Sequence, residues 1–308
     1  MPPVISVSHL TKQYPGLRAV DDLSFTVEEG GVYGFLGQNG AGKSTTIRML
    51  LTLVQPTAGR IELFGKELYA HRHEVLAQVG TVIERPDLYK YLTAYDNVRL
   101  MSELSGVRAD RARIMKQLEQ VGLADRATSK AKTFSQGMKQ RLGLACALIH
   151  NPRLLILDEP TNGLDPQGIA DVRRLLRHLS REEGKTILVS SHLLAEMELV
   201  ADSMLIIDRG RKVAEGRVQE LLNPDDMRVE LTAADPASAR AALARSTWAT
   251  RLEPGADRLL LRLARTEVPA LNRDLVALGI DVLALQPRHS LEDYFLSITQ
   301  SAHAPAAR

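Results

Sequence analysis

Nine residues, Gly37-Gln38-Asn39-Gly40-Ala41-Gly42-Lys43-Ser44-Thr45, have the spacing G-x-x-x-x-G-K-[ST] and follow the apolar run VYGFL. Glycines at such spacing let backbone amides converge on phosphate oxygens with no Cβ in the way, and the following TIRMLL predicts a helix whose amino terminus favours anions. Lys43 has the reach for β and γ phosphates, the Ser44 hydroxyl suits Mg²⁺, and Thr45 falls beside the α phosphate. A second cluster, LLILDEP at residues 154–160, carries two adjacent carboxylates at the end of an apolar strand, where an α/β sheet places its ligands. Asp158 suits a Mg²⁺ contact, direct or through water. Glu159 suits a base that polarises the water attacking a γ phosphate.

The elements that must hold these residues read as α/β. Residues 32–37, 154–158, 186–191 and 204–208 are near-continuous apolar runs, as expected of strands covered on both faces in a mostly parallel sheet. Residues 88–147 differ: TAYDNVRLMSELSG and RARIMKQLEQVGL have helical periodicity, which predicts a helical insertion. From residue 223 the pattern starts afresh, with MRVELTA, an Ala-rich helix, strands near Thr250 and at RLLLRLA, the helix TEVPALNRDLVALG and the strand IDVLALQP. That β-α-β-β-α-β order predicts a small ferredoxin-like α+β domain over 223–308, following a larger domain over 1–222. SLEDYFLSIT predicts a closing helix, and SAHAPAAR a frayed tail.

Composition narrows the function classes. The net charge is +2 over 308 residues, which supplies no electrostatic footprint for nucleic acid. Cys146 is the single cysteine, so no disulfide forms within the chain, and RLGLACALI around it predicts burial. The amino terminus lacks the pattern of a secretion signal, and no apolar run reaches the roughly 18 residues of a membrane span. Any bilayer crossing is left to another polypeptide.

Between the two phosphate-site clusters lies TFSQGMKQRLGLACAL, and here the chain resembles the nucleotide-binding domains of ABC transporters, a branch of the P-loop NTPases. The family's LSGGQ signature reads Phe134-Ser135-Gln136-Gly137-Met138, retaining Ser135 and Gly137, the two positions that would touch a γ phosphate. GLDP at 163–166, with Asp165, resembles the loop that communicates across the dimer, and His192 resembles the switch histidine that contacts the γ phosphate. Tyr14 aligns with the aromatic that stacks on adenine; stacking needs only a flat ring, and packing needs no more. Where the family has glutamine before the insertion, this chain has Glu84, a carboxylate able to bind metal more strongly. VIERP followed by LTAYDNV resembles the branch that energises drug, antibiotic or bacteriocin-type peptide export, bacitracin and daunorubicin resistance systems among them.

The resemblance implies ATP and Mg²⁺ as ligands and head-to-tail dimers, either of one chain or with a similar ATPase subunit. It also implies a separate multi-span permease and a peripheral place on the cytoplasmic face of the membrane, with no nucleic acid as partner. The alternative is a soluble ABC-type ATPase acting on ribosomes or nucleic acid. Such proteins usually carry two cassettes or a long coiled-coil insert, and one cassette with neither insert is present here.

Overall fold

The computed structural model describes residues 3–221, 227–253 and 259–288. The expected helix at residues 290–299 and the tail at 301–308 lie outside them. The chain divides into two compact units, Met1–Arg217 and Val218–Arg308.

The first unit opens with a hairpin, β1 (Ile5–Tyr14) and β2 (Leu17–Val27), followed by β3 (Val32–Leu36) and α1 (Lys43–Leu50). Then come β4 (Ala58–Leu63), β5 (Lys66–Glu67), α2 (Arg72–Leu76) and β6 (Val79–Val82). Three helices follow with no strand among them: α3 (Ala94–Leu104), α4 (Arg111–Gln120) and α5 (Gln136–Leu148). The unit closes with β7 (Leu154–Asp158), α6 (Pro166–Arg181), β8 (Thr186–Ser191), α7 (Leu194–Glu198), β9 (Ser203–Asp208) and β10 (Arg211–Arg217).

These strands form two sheets. One has the order β10-β9-β3-β8-β7-β6, parallel except for the edge strand β10. All five residues of β3 and of β7 and all six of β8 are buried, as the uninterrupted apolar runs require. The other sheet is antiparallel, β2-β1-β4-β5, with the alternating burial of a half-covered face: Leu23, Phe25 and Val27 point inward from β2, and Ile5 and Val7 from β1, where a bulge shifts the next inward residue to Leu10. Helix α1 contributes Ile47, Met49 and Leu50 to the same core, together with Phe35 of the parallel sheet and Ile61 of β4. The apolar runs mark four of the parallel strands, β3, β7, β8 and β9, but neither the short edge strand β6 nor this antiparallel layer, whose alternating polar residues leave no contiguous apolar run.

Helix starts follow their capping residues. Thr93 accepts from the Asp96 amide at 3.0 Å, Asp110 from Arg113 at 2.8 Å and Asp165 from Gly168 at 3.1 Å, each filling an otherwise orphaned donor. Ser135 does the same for α5, accepting from the Met138 amide at 3.3 Å.

The second unit contains α8 (Val218–Leu221), β11 (Met227–Ala233), α9 (Pro236–Leu243), β12 (Leu259–Leu263), α10 (Val268–Ala277) and β13 (Val282–Arg288). Its antiparallel sheet has the order β12-β11-β13. The expected strand near Thr250 is a correction: residues Ala249–Arg251 form a turn of 3₁₀ helix, and only a single bridge, Leu252 to Leu261, remains on that edge. The order around β11 is otherwise that of a ferredoxin-like sheet whose second strand has shrunk to one pair. Trp248 ends that connection by burying its ring, with its Nε1–H donating to Asp274 at 2.9 Å, an anchor that draws the backbone inward instead of along the sheet edge.

Cys146 is buried in α5, and burial pushes its thiol up to about 12. Since the thiolate is the reactive form, a maleimide at neutral pH should label the protein only after denaturation in guanidinium. Rapid labelling of the native protein would contradict the packing described for α5.

Candidate functional site

The loop from Gly37 to Gly42 leaves the carboxyl end of β3, a central strand with β8 on one side and β9 on the other. Its glycines answer to the walls around it. A Cβ on Gly37 would lie 2.6 Å from the Ile207 carbonyl oxygen, and one on Gly42 would lie 2.4 Å from that of Ala19. Gly42 also has φ +106°, outside the range of ordinary L residues. It is the residue before α1 and offers no side-chain cap, so the first-turn amides of Lys43, Ser44 and Thr45 are donors without intrahelical acceptors. The Ala41 amide closes the loop onto the Gln38 carbonyl at 3.1 Å, and Asn39 and Gly40 form its exposed tip.

Lys43 is buried, with 5% of its side chain accessible. Its Nζ donates to the carbonyls of Gly37 at 2.6 Å and Gln38 at 3.2 Å, and lies 3.2 Å from a carboxylate oxygen of Glu159. The other Glu159 oxygen is 2.8 Å from His192 Nδ1. Lys43, Glu159 and His192, which come from three separate segments, are therefore one contiguous cluster. β8 lies between β3 and β7 and brings them together: its Ser191 carbonyl accepts from the Gly37 amide, while Ser190 is paired with Asp158.

Asp158 is 1% exposed. One of its oxygens accepts from Ser190 Oγ at 2.6 Å, while the other, Oδ2, is buried with no hydrogen-bond partner in the protein. A buried unsatisfied acceptor costs roughly 1–3 kcal/mol, and more when charged. A hard cation placed against Oδ2 removes that cost, so this oxygen fits Mg²⁺. Ser190 Oγ also accepts from the Glu159 amide at 2.9 Å and so sets both carboxylates from one hydroxyl. Glu159 itself takes φ +51°, a left-handed conformation that costs about 1–2 kcal/mol for a residue with a Cβ. The bend turns the chain away from the strand line and directs the carboxylate toward Lys43 and His192.

An open polar cleft of about 890 Å³ lies between these groups, with Ser44, Arg48, Glu84, Gln136, Asp158 and Glu159 in its walls. Glu84 also has a left-handed φ, +54°, and one of its carboxylate oxygens is held by Arg48 Nη2 at 2.5 Å. Ser135 and Gly137 are at the start of α5, Ser135 exposed and Gly137 half-buried. Among the described residues no hydrogen bond or ion pair joins them to Lys43. Tyr14 ends β1, with the Lys12 ammonium 5.0 Å from its ring centroid, on the hairpin whose Ala19 carbonyl abuts Gly42.

Two residues that act on the cleft carboxylates were not singled out by spacing alone: Arg48 in its wall and the buried Ser190 behind it. Both had a signal: Ser190 precedes His192 by two positions on a strand, and Arg48 stands four residues after Ser44, on the same helical face.

The fold and this loop define a P-loop nucleotide-binding core. Residues 20–162 match the ABC transporter family. The chain is 40% identical over 300 residues to the bacitracin transport ATP-binding protein BcrA of Bacillus licheniformis, an alignment covering 97% of this chain and 98% of that protein. It is 42% identical over 212 residues to the lantibiotic transport ATP-binding protein SrtF of Streptococcus pyogenes, covering 69% and 90% respectively. Among solved structures, the ATP-binding subunit of an ABC transporter superposes with a TM-score of 0.63 at 32% identity, over 71% of this chain and 91% of that one. A dimeric ATP-binding cassette in a post-hydrolysis state with ADP and Pi gives 0.63 at 25% identity, over 70% and 98%. The chain belongs to the ABC transporter ATP-binding proteins, and its activity is that of an ATP-binding, ATP-hydrolysing transporter subunit.

If Lys43 holds the triphosphate, Lys43→Ala should raise the Kd for ATP by tenfold or more, on the order of 1.4 kcal/mol or above. Calorimetric titration checks this, and an unchanged affinity would remove Lys43 from the cradle.

Proposed function

We propose that the chain drives export of a drug, antibiotic or peptide through a separate membrane-spanning permease, bound at the cytoplasmic face of the membrane as one half of an ATPase dimer. The observation that carries the chemical part is the Lys43–Glu159–His192 cluster beside the unpartnered Asp158 oxygen. The export part is supported by the transport proteins named above, which cover most of the chain. Among the described residues no helix is long and apolar enough to cross a membrane.

In this reading the amides of Gly40 and of Gly42 to Thr45 and the Lys43 ammonium bind the phosphates, and Tyr14 stacks on the adenine. Lys43 now pairs with Glu159. When it turns to the β and γ phosphates it leaves that carboxylate free to take a proton from the attacking water. His192 holds the second oxygen of Glu159 and fixes the direction in which the base faces. Mg²⁺ would be held by Ser44 and Asp158, with Glu84 supplying a further oxygen from the opposite wall, and would neutralise charge on the phosphates. Ser135 and Gly137, which do not reach their own chain's loop, would cover the γ phosphate bound by a second subunit. Asp165 caps the adjoining helix and would hold the GLDP segment at that interface.

Glu159→Gln keeps size and hydrogen bonding but removes the base. ATP binding should persist, turnover should fall by about 10²-fold or more, and ATP-bound dimers should accumulate on gel filtration. An undiminished rate would refute the assignment of Glu159. Affinity capture from detergent-solubilised native membranes should recover a multi-span protein with this chain, and repeated recovery of ribosomal or nucleic-acid partners instead would overturn the transport reading.

A further inference from the structure

We propose that Arg48 is a positioning residue for Glu84: their ion pair cancels a carboxylate charge that would otherwise face the triphosphate, so that the pair presents a near-neutral wall to the nucleotide. The inference rests on the cleft being the nucleotide site.

The cleft already holds Asp158 and Glu159. Lys43 partners Glu159, but its charge is needed by the phosphates once nucleotide is bound. Glu84 on the opposite wall, beside the exposed Arg85 and Asp87, adds repulsion against a ligand with about four negative charges when no metal is present. Arg48 removes this penalty from an unusual place. It stands one helical turn after Ser44 on α1, so a single helix face presents both a hydroxyl and a guanidinium to the cleft.

Glu84 is held where the pairing requires it. Its backbone is left-handed, a strain that persists only where the surroundings over-determine it. Two residues on, Pro86 seats against α5 at Gly143, where an added Cβ would come within 2.5 Å of the proline ring. The loop is thus pinned between the helix that begins at Lys43 and the helix that begins just after Ser135. The pair is half-exposed, at 43% and 61% for the two side chains. Exposed pairs contribute little to folding, so its removal should leave stability unmoved while changing the field at the nucleotide.

The test is a double-mutant cycle on the full chain, reading equilibrium binding of a fluorescent ATP analogue with excess EDTA and again with excess Mg²⁺, each variant checked by thermal unfolding. Arg48→Met should weaken metal-free binding by about threefold or more, with a smaller loss when Mg²⁺ is present. Glu84→Gln should tighten metal-free binding, because Arg48 is then uncompensated. The double substitution should return the ratio of metal-free to Mg²⁺-bound affinity to that of the wild type, and Arg48→Lys should retain it. Wild-type binding in Arg48→Met overturns the proposal, as does a loss that Glu84→Gln does not restore. Failure of the wild-type chain to bind the analogue at all would instead sink the nucleotide-site reading.

Discussion

The Gly37–Gly42 loop can cradle phosphate, as proposed, only if backbone amides at the start of the following helix stay unpaired, and leaving polar groups unpaired inside a protein is unfavourable unless something outside claims them. The surrounding structure meets that demand by crowding. Ile207 on one side and Ala19 on the other approach the loop until glycine alone fits at positions 37 and 42. Those walls come from β9 of the parallel sheet and β2 of the antiparallel hairpin, so both layers are needed to shape one loop. Helix α1, packed between them, then aims its free amino terminus along the exit of the central strand.

Charge is arranged with the same economy. Three acidic groups of the cleft have a partner or an oxygen suited to a cation, while a fourth, Asp87, is exposed to solvent. Glu159 has Lys43 and His192, Glu84 has Arg48, and Asp158 has Ser190 on one oxygen and nothing on the other. Only the last is an unmet demand, and only there does a buried negative oxygen call for a metal. Lys43 is paired with a neighbouring carboxylate, and in the proposed function a phosphate would compete for it and so free Glu159 to act as the base. A lysine whose ammonium had no local partner would be costly to bury before nucleotide arrives.

The second unit shows a different constraint. Its sheet, β12-β11-β13, is covered by Leu243 of α9 and by Leu271 and Leu275 of α10, and Trp248 joins the same core, tied to Asp274 of α10. The chain at 249–251 forms a turn of 3₁₀ helix beside that buried ring. The sequence around Thr250 has strand-forming residues, and nothing in their pattern announces the tryptophan's direction.

Residue order alone determined the chemistry available to this protein: the glycine spacing before Lys43, the Asp158-Glu159 pair closing an apolar strand, and the histidine after another such strand. Local rules suffice there, because loop geometry, helix polarity and strand burial each leave a signature within a few neighbours. Tertiary structure decided who meets whom. Glu159 faces both Lys43 and His192, Ser190 orients two carboxylates at once, and Arg48 reaches across the cleft to Glu84, because β8 is inserted between β3 and β7 and a loop is pinned by Pro86 on Gly143. Such meetings depend on strand order and on packing between segments distant in the chain, and periodicity along one segment carries no information about either.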